Sequence, residues 1–333
     1  MRVSACLPLV GLLSSFGCSS KEPDTIPGYD TGGAATGGVA GSGAHGAGVQ
    51  GGSGGLAPSG GGGNTSVRDA GDEGAGPHRF SIELDYRYDT AGFFDPGMHP
   101  ERRPVLEAAA ALWSRAIRDD FPPVPAGTRL RLRNPEDRDT YVWVDGIEHD
   151  IDDVIVFVGT SAAISPAYGR SSPAGTADST DSALLSSLAD RVDGDTFEPW
   201  AGSVSFFPTA SWFFDATPET ADDIPHDQYD FLSFAVHELG HVLGFTTEAA
   251  AYMRYISAPD GGGDGGSVTF TGPIAEMTYG APVPFEMDDV HLRAGTESQG
   301  MKALMNRAIT NGTRESPTRL DEAILRDLGY EIE

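Results

Sequence analysis

From residue 79 onward the chain switches repeatedly between apolar patterns of period two and period 3.6. Phe80, Ile82, Leu84, Tyr86 and Tyr88 alternate with Ser81, Glu83, Asp85 and Arg87, the signature of a half-buried strand. Pro104 then opens a helical pattern, in which Val105, Leu106, Ala109, Leu112, Trp113, Ala116 and Ile117 form one apolar stripe. Leu130 and Leu132 predict a short second strand. Val154-Ile155-Val156-Phe157-Val158 is continuously apolar, as in a central strand covered on both faces. Ser182 to Leu188 predicts a short helix, and Val204-Ser205-Phe206-Phe207 a further strand stopped by Pro208. A strongly apolar helical pattern runs from Phe231 to Phe245, with Asp227 or Asp230 available as N-cap and Gly244 as the residue after the last turn. Strands interleaved with helices in this order predict an α+β fold, a mixed twisted sheet carrying helices.

Before residue 79 the pattern is different. Residues 1–17 read as an export signal: Arg2 supplies the positive charge, and the apolar run from Leu7 to Phe16 is too short to span a bilayer. Residues 18–78 are dominated by Gly, Ala, Ser and Thr. They have no apolar period with which to offset the entropy of ordering, so they read as a disordered tether. A flexible chain of about 60 residues reaches roughly 40–45 Å.

Composition narrows the function classes. Lys+Arg 22 against Asp+Glu 49 gives a net charge of −27, which excludes a nucleic-acid partner because phosphate binding needs clustered cations. The two cysteines, Cys6 and Cys18, both lie near the N-terminus. That excludes a disulfide framework and a cysteine-ligated metal cluster in the folded part. Asp190, Asp193, Asp195 and Glu198, and separately Asp260 and Asp264, are either calcium-binding loops or solvated ones; neither stretch has the spacing of a known calcium loop.

The chemistry concentrates at His237-Glu238-Leu239-Gly240-His241. Histidines at i and i+4 lie one turn apart on one helix face, so both imidazoles reach one zinc ion, and Glu238 beside them reaches a water on it. A zinc hydrolase needs a third protein ligand. The compact HExxHxxGxxH pattern would place it at position 247, which is Thr247, a poor zinc ligand. Candidates downstream are Glu248, Glu276, Glu286, Asp288, Asp289 and His291. His291 competes mainly with Glu248. It is favoured by imidazole's affinity for zinc, and Asp288 or Asp289 is placed to orient its second ring nitrogen.

The order of these residues resembles the leishmanolysin branch of the metzincin zinc metalloproteases. There a long insertion separates the HExxHxxGF helix from the third histidine, and a turn carrying a methionine comes after it. The resemblance makes His237, His241 and His291 the metal ligands, Glu238 the general base, and Met305 the methionine of that turn. The stretches Phe270-Thr271-Gly272-Pro273, Tyr279 to Pro284 and Ala323 to Tyr330 resemble bacterial relatives. It implies a catalytic domain over residues 79–333, with an N-terminal subdomain at about 79–244. A smaller, mostly irregular C-terminal subdomain at about 245–333 ends in a helix. It also implies that the strand before the metal helix, Val204 to Phe207, borders the cleft and pairs with extended substrate through unpaired edge amides. The segment Ser15-Phe16-Gly17-Cys18 resembles a bacterial lipobox, with Ser15 where an aliphatic residue is usual. It implies lipidation at Cys18 and a location at the cell envelope; a plain secretory signal is the alternative.

The expectation is a monomeric zinc-dependent endopeptidase with one catalytic zinc, acting on protein or peptide substrates outside the cytoplasm. A zinc-stabilised binding module and a zinc amidase on a non-peptide substrate are the competing readings; casein cleavage blocked by a chelator separates the endopeptidase from the binding module.

Overall fold

The computed structural model describes residues 79–162, 167–171, 177–215, 220–257, 268–286 and 290–333. The export signal, Cys18, the tether, and the acidic residues Asp260, Asp264, Asp288 and Asp289 lie outside them. In chain order the elements are β1 (Ile82–Tyr88), α1 (Arg102–Ala116), β2 (Arg129–Asn134), β3 (Asp137–Val144), β4 (Val154–Thr160), β5 (Ala167–Ser171), β6 (Ala177–Asp178), α2 (Ser182–Asp193) and β7 (Ala201–Phe206). Next come β8 (Trp212–Phe213), β9 (Tyr229–Asp230), α3 (Phe231–Leu243), α4 (Ala250–Met253), β10 (Ile256–Ser257), β11 (Thr269–Phe270) and α5 (Pro273–Tyr279). The chain closes with β12 (Val283–Pro284), β13 (Glu297–Ser298), β14 (Met301–Lys302) and α6 (Arg319–Asp327). The fold is mixed α and β, with small sheets and six helices among the described residues. None of these helices is long and apolar enough to cross a membrane.

The principal sheet has the order β1-β4-β7-β5. Its first three strands run parallel, and β5 returns antiparallel along β7. Every residue of β4 is buried, because each face of this central strand meets its own core. Val154, Val156 and Val158 face a large core shared with α1, α3 and the C-terminal region. Ile155 and Phe157 face a second core built with Leu130, Leu132 and Val144 of the β2–β3 hairpin, Leu188 of α2, and Trp200. The continuous apolar run thus has the physical reason expected of it.

β1 follows its alternation only as far as Tyr86. Ile82, Leu84 and Tyr86 pack on the large core, but Tyr88 packs on the second one, its ring 6.1 Å from that of Phe157. The register against β4 shifts between Asp85 and Tyr88. A bulge inserts one residue and turns the side chains beyond it to the opposite face, so a uniform period-two reading fails at that point.

The expectation for Val204 to Phe207 is corrected. The strand spans Ala201–Phe206 and lies inside the sheet, with β4 on one side and β5 on the other. Its amides are therefore not at an edge. The edge on that side belongs to β5, a segment whose residues Ala-Tyr-Gly-Arg-Ser carry no apolar alternation to reveal it.

Candidate metal centre

All thirteen residues of α3 are buried, which requires both ends of the helix and its polar side chains to be satisfied internally. Asp230, rather than Asp227, is the N-cap. Its carboxylate accepts the Ser233 amide at 3.2 Å and the Ser233 hydroxyl at 2.6 Å. Arg314 donates to the same carboxylate at 2.9 and 2.8 Å and pairs with Asp215 at 2.7 Å. Buried charges of this kind are tolerated because each is paired and hydrogen-bonded. At the other end Gly244 has φ 139°, and a Cβ there would lie 2.6 Å from Leu328 Cδ1 and 3.1 Å from Phe197. Only glycine fits both the backbone angle and the space. The Trp113 indole donates to the Val236 carbonyl at 2.9 Å, and the Tyr330 hydroxyl to the Leu243 carbonyl at 2.7 Å. α3 is thereby fixed to α1 and to the C-terminal segment.

His237 and His241 project from one face of this helix, with ring centroids 4.9 Å apart. His291 joins them from a segment clamped on both sides. The Glu286 amide donates to the His291 carbonyl at 2.9 Å, and the Leu292 amide to the Met305 carbonyl at 2.9 Å. The Ala294 amide donates to the Glu286 carboxylate at 2.9 Å. The ligand-capable atoms of the three histidines all lie within 4.8 Å of one another, and all three residues are buried. His291 stacks against His237 at 12° and 5.5 Å, while His241 stands nearly perpendicular to both.

The hydrogen bonds define which nitrogens are available. His237 Nδ1 lies 2.9 Å from the Leu304 carbonyl, and His241 Nδ1 lies 2.7 Å from the Phe245 carbonyl. A carbonyl only accepts, so each Nδ1 carries the proton and each Nε2 presents a lone pair. His241 Nε2 and His291 Nε2 are 3.2 Å apart. Two imidazoles on one tetrahedral ion with bonds of about 2.0–2.1 Å would hold their nitrogens about 3.3 Å apart. The donor set, and the spacing of this pair, fit a borderline cation such as zinc. Glu238, fully buried, follows His237 on the same helix.

Met305 is fully buried and lies against α3 at Gly240. A Cβ at Gly240 would lie 2.6 Å from Met305 Sδ, so the helix glycine leaves the gap that the methionine fills. The turn is held from both sides. Asn306 donates to the carbonyls of Ala303 and Thr296 at 2.6 and 2.9 Å, and the buried Asp321 accepts the amides of Leu304 and Met305, each at 3.0 Å. Sequence reading did not single out Asp321. The available signal was Thr318-Arg319-Leu320-Asp321, a capping-box spacing that α6 adopts.

Among the described residues, the other candidate ligands are not part of this group. Glu248 follows Thr246, whose hydroxyl accepts the Glu248 amide at 3.2 Å; Glu276 is on α5. In the acidic stretch, Asp195 pairs with Arg254 at 2.7 Å, and Glu198 lies 3.9 Å from Arg191. Among the described residues the three histidines are the one group placed to hold a metal ion. No family model matches the chain, and no curated protein matches it in sequence.

Proposed function

We propose that the protein is a zinc-dependent endopeptidase of the metzincin type, similar to the leishmanolysin branch, acting as a monomer on proteins outside the cytoplasm. The observation that carries this reading is the convergence of three buried imidazoles next to a buried glutamate. A structural zinc site would close its fourth position with another protein ligand, whereas three ligands leave one open.

In this reading His237, His241 and His291 hold the ion. A zinc ion held by three neutral imidazoles would keep its double charge and would supply Lewis-acid activation of water and of the substrate carbonyl. Glu238 accepts the proton of the attacking water at its carboxylate and returns it to the leaving amine. The Leu304 and Phe245 carbonyls hold His237 and His241 in the tautomer that directs Nε2 inward. β5, as the edge of the principal sheet, is the strand that offers backbone groups to an extended peptide. It takes the role that sequence reading assigned to Val204 to Phe207.

The test is metal content and casein cleavage for the wild type and two variants. His291→Ala is expected to lose both zinc and cleavage, and Glu248→Ala to keep both. A His291→Ala protein that retains one zinc and cleaves casein would refute the assignment. A zinc-loaded wild type that cleaves no peptide would favour the binding-module reading.

A further inference from the structure

We infer that Asp321 is a positioning residue for the metal centre, acting on His237 through the Leu304–Met305 peptide unit. The inference rests on the reading of His237 as a metal ligand. Asp321 is fully buried. Its Oδ2 accepts the Thr318 amide and hydroxyl, each at 2.7 Å, and the Leu304 amide at 3.0 Å; its Oδ1 accepts the Met305 amide at 3.0 Å. Capping α6 uses only the bonds to Thr318. The two bonds to the turn are additional; burial pushes the Asp321 carboxyl up, and the four donors around it oppose that shift and favour the carboxylate that the relay uses.

The Met305 amide and the Leu304 carbonyl belong to one peptide unit. Its N–H donates to Asp321, and its C=O accepts from His237 Nδ1 at 2.9 Å. A planar, conjugated peptide transmits polarisation: a carboxylate on the N–H makes the carbonyl a stronger acceptor for the imidazole proton. Carboxylate, peptide and imidazole thus form a relay. A carboxylate hydrogen-bonded directly to a ligand histidine fixes its tautomer and raises its basicity, and here one peptide is interposed. His241 provides the internal contrast. The Phe245 carbonyl behind it belongs to the unit whose N–H, on Thr246, donates to the neutral Gly244 carbonyl at 2.7 Å. Behind His237 the peptide leads on to a carboxylate, that of Asp321.

The test uses the full chain, with zinc affinity measured by chelator competition and imidazole nitrogens followed by NMR. Asp321→Asn is expected to bind zinc about 10–100-fold more weakly. The His237 Nδ1 resonance should move while that of His241 stays. Leu130→Ala, in the second core, is the control for general destabilisation and is expected to keep the wild-type affinity. Asp321→Asn with unchanged affinity and an unmoved His237 resonance, or a loss no greater than that of Leu130→Ala, overturns the inference. Should Asp321→Asn not fold, the wild type carries the second reading. Zinc loading is expected to shift the Met305 amide proton downfield more than that of Thr246, and equal shifts overturn the relay. A wild type that takes up no zinc overturns the metal centre as well, which separates the two failures.

Discussion

Gly240 shows how much of the site depends on single atoms. Adding one methyl group there places it 2.6 Å from Met305 Sδ. Gly240→Ala is expected to cost about 1–3 kcal/mol through overpacking, read as a lowered unfolding midpoint in urea. Gly244→Ala adds an unfavourable backbone angle to its own 2.6 Å clash, so its midpoint should fall further. At Tyr330, burial first and then the nearby Asp119 charge push the phenol well above the ordinary tyrosine range. Below about pH 10 the residue is neutral in both the folded and the unfolded chain. Above that pH the unfolded chain releases the proton and the folded one does not. Stability therefore falls by about 1.4 kcal/mol per pH unit from this group alone, up to its folded pKa. Tyr330→Phe should cost about 1 kcal/mol near neutral pH by removing the bond to Leu243, yet flatten the alkaline limb by one proton. An unchanged limb would show that Tyr330 titrates normally.

Elements differ in how plainly the sequence announced them. β4 and α3 were legible because both are buried on every side: β4 carries five successive apolar residues, and α3 is apolar except where it carries Ser233, Gly240 and the His237, Glu238 and His241 of the site. The spacing of His237 and His241 was legible for a related reason, since helix geometry alone brings i and i+4 together. His291 was nominated by chemistry and resemblance, because the forty-nine residues between it and His241 carry no local rule for where the chain returns. β3 and β5 were missed. Thr140 to Val144 lies on a hairpin whose outward face stacks arginines on aromatics: Arg129 sits 4.6 Å above Trp143 and Arg131 4.5 Å above Tyr141. Cation–π pairing substitutes there for an apolar stripe. Asp321 was missed because its role depends on α6 docking under a turn that is distant in sequence. The β13–β14 hairpin carries Gln299 at φ 55° followed by Gly300 at φ 79°, a two-residue turn that favours asparagine in the first place. Gln299→Asn should raise the thermal midpoint slightly, and a lowered midpoint would contradict this reading of the turn.

At the scale of the molecule, the proposed metal ligands come from two regions, α3 and the segment around His291, which share one core with α6 and Tyr330. Filling the centre should therefore stabilise the whole fold rather than one loop. At a free zinc concentration 1,000-fold above Kd the gain is about 4.1 kcal/mol, and a chelator should lower the unfolding temperature accordingly. A chelator-insensitive melt would leave the centre without a structural consequence. Export and lipidation at Cys18 belong to the same proposal: Cys18→Ser should give an active protein that is released or left uncleaved. A wild type found wholly soluble with an unmodified Cys18 would contradict the anchor. The central claim is that a glutamate on a metal-holding helix moves the proton for peptide hydrolysis. Its most direct test is casein cleavage by wild type and Glu238→Ala, each loaded with one equivalent of zinc. The account predicts that both proteins hold the ion and that the variant loses at least about 10²–10⁴-fold in rate; a zinc-loaded Glu238→Ala that cleaves as fast as wild type would contradict it.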